Sequence, residues 1–334
     1  MRAIMLNEYG DHNLVLADVP RPDPKSNEVL VKVEYAGLRW GDVMQCNGYP
    51  AKLFQPPFVA GQEAAGFVEA FGADVQGLSV GARVLALPPH GAWADYVCVP
   101  AVRVSAVPAH VSLAQALIYQ INLLTAYYAV LVWAKVQPGE RVLLHAAAGG
   151  VGLLALQIMK RRLRDVTVVA VVGNEAKAQL VRQYGADLVI NRKASNYVAE
   201  IERVFGPKAT GFGSGGERGG GVDVSLNGVS GSTLESDPRV IRKRGRWVIY
   251  GWSGGRGVLN TAAFGYDGIT IMPFSSIAWL GTPEHAAGTQ FVREWLERET
   301  LLTPCVYDLT DAAKALQALA HGETIGKVVL KVSH

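Results

Sequence analysis

Apolar and polar positions alternate over Val29, Val31, Val33 and Tyr35, the period-two spacing of a half-buried strand. Short apolar or β-branched runs follow at residues 66–70, 83–87 and 95–99, each bounded by Gly or Pro, so the first hundred residues predict a β-rich region. The pattern changes near Ser112. Residues 112–134 carry no charge, but Gln115, Gln120, Asn122 and Thr125 interrupt the run, and Ser112 with Gln115 forms a capping-box pattern. Buried helices are predicted there rather than a membrane span. A strand at 142–145 then breaks into Ala146-Ala147-Ala148-Gly149-Gly150-Val151-Gly152 and continues as an apolar helix that ends at the basic Arg161, Arg162 and Arg164. Val166 to Val172 has the length and β-branching of a buried parallel strand. Asn174 is placed to cap a helix running to Tyr184, Gly185 to end it, and 188–190 to form a third strand. After Gly251 come a strand at 269–273, helices at 284–299 and 311–320, and a strand at 327–332.

Strand, glycine turn, helix, strand, helix, strand describes an α/β, doubly wound parallel sheet of the Rossmann type. Its position between two partly β stretches predicts an inserted nucleotide domain with a cleft at the junction. One segment stands apart: residues 206–221 are rich in glycine and also hold Lys208, Glu217 and Arg218, and they read as a mobile surface insertion.

Composition narrows the function. The 334 residues suit two domains, and 49% hydrophobic against 18% charged residues supports a sizeable core. A net charge of +3 argues against a dedicated nucleic-acid surface. The basic run Arg239 to Arg246 reads as a solvated helix end ahead of a strand. Cys46, Cys98 and Cys305 are widely spaced and form no CxxC pair, which favours a reduced, cytoplasmic protein without a disulfide framework or zinc knuckle. No basic, apolar leader precedes a cleavage site. The seven histidines form no evident triad, and His145 reads as a satisfied structural group rather than a general acid.

The chemistry concentrates at the glycine turn. A strand that feeds a helix through glycines leaves backbone N–H groups at an open helix N-terminus, which suits a dinucleotide pyrophosphate. Ala148, Gly149, Gly150, Val151 and Gly152 are the candidate contacts, although Ala147 fills the first glycine position. At the end of the second strand the chain reads Val172-Gly173-Asn174-Glu175, with no acid positioned for a ribose 2′-OH.

These motifs resemble the medium-chain dehydrogenase/reductase superfamily, in its zinc-free quinone oxidoreductase branch. The likeness rests on Gly37-Leu38-Arg39-Trp40-Gly41-Asp42, Gly61-Gln62-Glu63-Ala64-Ala65-Gly66, Val80-Gly81-Ala82-Arg83-Val84, the glycine turn, and Gly322-Glu323-Thr324-Ile325-Gly326-Lys327-Val328-Val329-Leu330. Within the branch the chain is most similar to the vesicle amine transport protein-like group and to bacterial enoyl reductases. The resemblance implies a GroES-like catalytic domain at 1–118 plus 265–334 and a Rossmann domain at 119–264. Zinc members use a cysteine, a His-Glu pair and a later cysteine; here Gln62 precedes Glu63 and no cysteine lies between Cys98 and Cys305, so no metal is expected.

By the same resemblance, Lys177 and Arg192 are expected to meet a 2′-phosphate, which favours NADPH with NADH as the alternative. Asn174, Thr125, Gly251, Ser253, Phe274 and Lys327 are the further cofactor candidates. Tyr49 resembles the tyrosine that related enoyl reductases place near substrate, one residue closer to Asp42 than in many relatives. Arg39 stands where relatives carry asparagine, and is expected either to polarise a carbonyl or to pair with Asp42 or Glu63. The expected activity is hydride transfer from NAD(P)H to a small conjugated acceptor: a quinone, an enone or an enoyl thioester. A homodimer joined through residues 268–272 is implied, with no integral membrane segment and no nucleic-acid partner. The alternative is a nucleotide-binding, membrane-associated scaffold of the same fold with little turnover.

Overall fold

The computed structural model describes residues 1–10, 13–49, 54–209 and 219–332. Residues 210–218, most of the glycine-rich segment, and Pro50 of the Tyr49 motif lie outside the described residues. The chain divides into two compact units, Met1–Gln120 with Leu296–His334, and Ile121–Trp295.

The first unit holds β1 (Arg2–Leu6), β2 (Leu14–Asp18), β3 (Glu28–Leu38), α1 (Trp40–Cys46), β4 (Phe58–Val59), β5 (Glu63–Phe71), β6 (Arg83–Ala86), β7 (Tyr96–Pro100), β8 (Val104–Ala106) and α2 (Leu113–Ile118). Strands β2-β1-β4 form a small antiparallel sheet. A larger sheet has the order β15-β16-β3-β5-β6-β8, with β7 also on β3; its β15 (Cys305–Asp308) and β16 (Val328–Lys331) come from the C-terminal segment, which also carries α9 (Ala312–Ala320). The long β3 is the spine, and Val29, Val31 and Val33 are fully buried as the pattern predicts, although Leu30 between them is buried as well, beside a register shift against β5. It then slips. A register shift against β5 between Val33 and Tyr35 reverses the facing, so Ala36 and Leu38 take the buried side and Tyr35 does not.

The second unit contains α3 (Leu124–Tyr127), β9 (Arg141–Leu144), α4 (Gly150–Arg162), β10 (Thr167–Val172), α5 (Glu175–Gln183), β11 (Leu188–Asn191), α6 (Tyr197–Phe205), β12 (Val222–Asn227), α7 (Thr233–Ser236), β13 (Ile241–Ile249), β14 (Thr270–Pro273) and α8 (Pro283–Arg298). Its six strands are all parallel, in the order β11-β10-β9-β12-β13-β14. That is the doubly wound dinucleotide-binding order, with the direction of winding reversing between β9 and β12. The unit extends past residue 264, the expected boundary, because β14 pairs with β13 from Arg246↔Thr270 to Ile249↔Pro273.

Two further expectations meet the structure differently. The basic run at 239–246 starts at the end of a short 3₁₀ helix, Asp237–Arg239, but most of it lies in β13, where Arg246 makes a double ion pair with Glu140 (2.9 and 2.5 Å) and Arg242 pairs with buried Asp223. The uncharged stretch forms a helical run, Leu113–Trp133, long and apolar enough to cross a membrane, yet 72% of its most apolar window is buried within the protein. The Ser112 hydroxyl accepts from the Gln115 N–H at 3.2 Å, so the capping pattern is realised.

Candidate functional site

The glycine turn is built by close approach. Ala146 adopts the left-handed conformation (φ 49°), and the Ala147 N–H is tied to the Val171 carbonyl at 3.2 Å, which anchors the turn on β10. A Cβ at Gly152 would stand 2.4 Å from the Ala146 oxygen and 2.8 Å from the Ala147 Cα, so only glycine lets α4 begin this close to the turn. Gly149 occupies the N-cap with extended backbone and offers no side chain, and the first turn of α4 contains no acid. The N–H groups of Gly150, Val151 and Gly152 therefore face outward from a positive helix end with neither side-chain cap nor competing carboxylate. Ala148 is buried. The geometry accepts an anion.

At the carboxyl end of β10, Asn174 caps α5 by accepting the Lys177 N–H at 2.9 Å. Arg192 is exposed and sets its guanidinium 3.8 Å from where a Cβ on Gly173 would stand, its own N–H bonded to the Val172 carbonyl at 2.9 Å. Lys177 is only 9% exposed, on the first turn of the same helix. The structure thus brings a cation to the strand end where an acid is missing. Gly251 packs against the carbonyl of Gly228, 2.5 Å from an added Cβ, and the Ser253 hydroxyl donates to that same carbonyl at 3.1 Å. Thr125 is buried and its hydroxyl is shared with the Ile121 carbonyl (2.7 Å) and the Ser276 hydroxyl (3.0 Å). Phe274 lies in an aromatic group with Tyr128, Trp133 and Tyr250, at ring separations of 6.2, 6.3 and 6.4 Å.

Within the first unit, Lys327 and Arg39 meet in a buried charge cluster that does not include Tyr49. Lys327 and Glu63 form an ion pair in which each side chain is 1% exposed. A Cβ on Gly37 would collide with Glu63 and crowd Lys327, so the glycine makes room for the pair. Arg39 donates to the Gln62 side-chain oxygen, stands 3.9 Å from Glu63, and gives its backbone N–H to Asp42 at 2.8 Å. Burial pushes the Asp42 carboxyl up from 3.8 to about 6, against the pull of Arg39. Arg39 Nε, Asp42 Oδ1 and Glu63 Oε1 are buried without a hydrogen-bond partner among the described residues. Tyr49 is 41% exposed, with its N–H on the Met44 carbonyl at 2.8 Å. No group of three or more His, Cys, Asp or Glu among the described residues is arranged to hold a metal ion.

Sequence reasoning missed one polar centre. Asp237, fully buried, accepts from His145 (2.8 Å), Tyr197 (2.7 Å), Ser225 (2.7 Å) and Asn227 (2.8 Å). Nothing local signals it, because the four donors lie up to 92 positions away.

Known proteins resemble both units. Residues 25–109 match the alcohol dehydrogenase GroES-like domain, and residues 150–290 match the zinc-binding dehydrogenase family. A synaptic vesicle membrane protein VAT-1 homolog of Danio rerio is 31% identical over 252 residues, covering 75% of this chain and 49% of that protein. The chain thus spans about half the length of that relative. The Escherichia coli quinone oxidoreductase solved with NADPH is 26% identical, with a TM-score of 0.86, covering 99% of this chain and 100% of the other. The CurK enoyl reductase is 28% identical with a TM-score of 0.82, covering 99% of each chain.

Proposed function

For a chain that belongs to the medium-chain dehydrogenase/reductase family, among its quinone oxidoreductase-like members, we propose a zinc-independent, NADPH-dependent reductase of conjugated acceptors. The acceptor is a quinone or an α,β-unsaturated carbonyl, including an enoyl thioester. The observation that carries this reading is the uncapped, acid-free N-terminus of α4 on its glycine turn, with Arg192 at the end of the neighbouring strand. The residues fit a dinucleotide. Gly150, Val151 and Gly152 offer N–H groups to a pyrophosphate that Gly149 and Ala148 flank at the turn, and Arg192 with Lys177 offers positive charge to a 2′-phosphate. Thr125, Asn174, Gly251, Ser253, Phe274 and Lys327 are proposed as further contacts.

Bound NADPH supplies the hydride. A conjugated acceptor delocalises the arriving charge into its own carbonyl, so a donor and a proton suffice where alcohol oxidation calls for a Lewis acid. The zinc-independent reading is supported by the donor chemistry: Gln62 accepts from Arg39, and Glu63 is already paired with Lys327. Arg39 is proposed to orient the acceptor's carbonyl, and Tyr49 to stabilise or protonate the enolate. The commitment of the Arg39 guanidinium to Gln62 and Glu63 favours the second reading, a nucleotide-binding scaffold with little turnover.

The deciding experiment is NADPH oxidation against a panel of quinones, enones and enoyl-CoA esters, with Gly150→Asp as the control. The substitution puts a carboxylate at the N-terminus of α4 and is expected to abolish nucleotide binding and turnover together. Turnover surviving in Gly150→Asp overturns the site. Wild-type protein that binds NADPH and reduces nothing in the panel favours the scaffold.

A further inference from the structure

We propose that the Asp237 carboxylate is the shared anchor that positions the three loops of the dinucleotide site, an inference that rests on the nucleotide reading above. The ligand crevice of an open α/β sheet lies outside the carboxyl ends of its strands, where the winding reverses. Here that point falls between β9 and β12. Asp237 binds both. His145, the residue after β9, reaches one carboxylate oxygen, while Ser225 and Asn227 of β12 reach the other.

Each bond continues into a loop. His145 leads directly into the left-handed Ala146 of the glycine turn, and its own N–H bonds the Leu226 carbonyl at 3.1 Å. Asn227 uses its side-chain oxygen to accept the N–H groups of Val229 and Ser230 at 2.9 and 2.8 Å, which shapes the loop after β12. Ser230, itself left-handed at φ 57°, donates its hydroxyl to the Gly251 carbonyl at 2.8 Å and so ties in the loop after β13. The glycine turn, the 228–231 loop and the Gly251–Ser253 loop thus trace back to one carboxylate.

Its chemistry suits the role. Burial raises the pKa of Asp237, but His145 and the bonds from Ser225 and Tyr197 outweigh that and hold it below the usual carboxylate range. An ionised carboxylate only accepts, so the Nε2 of His145 carries the proton between them. Burial and the adjacent carboxylate push the Tyr197 hydroxyl up, keeping it a donor. A buried charge is costly to desolvate, and replacing it by apolar residues is often neutral for stability; what an acceptor-only hub adds is a fixed arrangement of its donors. Tyr197 differs from the other three donors. It comes from α6, which leads into none of the three loops.

The test is calorimetric titration of NADPH and of NADH into Asp237→Asn, His145→Phe and Tyr197→Phe, with melting temperatures alongside. Asp237→Asn and His145→Phe are expected to raise Kd at least tenfold for both nucleotides and to leave the NADPH-to-NADH ratio as in the wild type, because the anchor shapes the cradle and does not touch the 2′-phosphate. Tyr197→Phe is expected to lower the melting temperature while Kd stays within twofold. If Asp237→Asn does not fold, the His145→Phe and Tyr197→Phe pair decides. Variants that melt earlier yet bind both nucleotides as the wild type does overturn the anchor alone. Wild-type protein that binds neither nucleotide overturns the nucleotide reading and the anchor with it.

Discussion

A carboxyl group with no solvent exposure, as in Asp42, ionises only against the cost of leaving water. Its pKa is raised from 3.8 to about 6, so the folded protein holds that proton more tightly than the unfolded chain does. The resulting stability is fully present below 3.8 and is lost as pH rises through about 6, amounting to about 3 kcal/mol by neutral pH. Asp42→Asn keeps an acceptor for the Arg39 N–H and removes the charge. The variant is expected to melt no lower than the wild type at pH 7.5, and to lack the wild type's relative gain between pH 7 and 5. A variant that melts well below the wild type at pH 7.5 makes ionised Asp42 a net stabiliser through Arg39 and Lys327. The nucleotide preference is a second prediction at this scale. A charge-assisted contact is worth about 1.5–3 kcal/mol, roughly tenfold or more in affinity. Lys177→Ala and Arg192→Ala are each expected to weaken NADPH while sparing NADH; tighter wild-type binding of NADH removes the basis for both. These residues also show what a sequence can convey. Asn174 was legible as a cap because its partner lies three positions away. The exposed Arg192 was legible only by resemblance. Asp237 was silent, since a lone acid says nothing of four donors gathered from two strands and a helix.

Helix α4 begins where it does because Gly152 has no Cβ, which makes the nucleotide turn a property of an element rather than of one contact. Gly152→Ala places a methyl 2.4 Å from the Ala146 oxygen. Relief requires α4 to back away from the turn, at a cost of about 1–3 kcal/mol for overpacking, and that movement withdraws the N–H groups from the anion. The expected result is a folded variant, native by circular dichroism, whose nucleotide Kd rises tenfold or more. Unchanged Kd means that the helix terminus is not where the pyrophosphate sits. Element existence was legible wherever periodicity was strong, as along β10, whose run of valines admits little else. Element phase was less so. Tyr35 belongs to the alternating pattern of β3, but a bulge against β5 resets the facing, and a bulge is decided by two strands at once. The basic run at 239–246 misled for a related reason: its charges suggest solvent, whereas Arg242 and Arg246 find Asp223 and Glu140, acids distant in sequence.

At the scale of the molecule, the six-stranded sheet ends at β14, which pairs with β13 on one side and has no strand on the other among the described residues. Ile271 packs against the core of the unit and Met272 is half-buried, so the strand presents a short, partly apolar edge of unpaired backbone groups. Edges of this kind recruit another strand unless they are covered or charged, and residues 268–272 carry no charge. A second copy related by a two-fold axis covers the edge with itself, since an isologous interface needs no second surface. The expected species is a homodimer. Light scattering at micromolar concentration is expected to give twice the chain mass, and the melting temperature is expected to climb with protein concentration, because dimerisation stabilises the folded state by mass action. A monomeric mass, with a melting temperature independent of concentration, leaves β14 as a solvent-facing edge whose short length alone protects it.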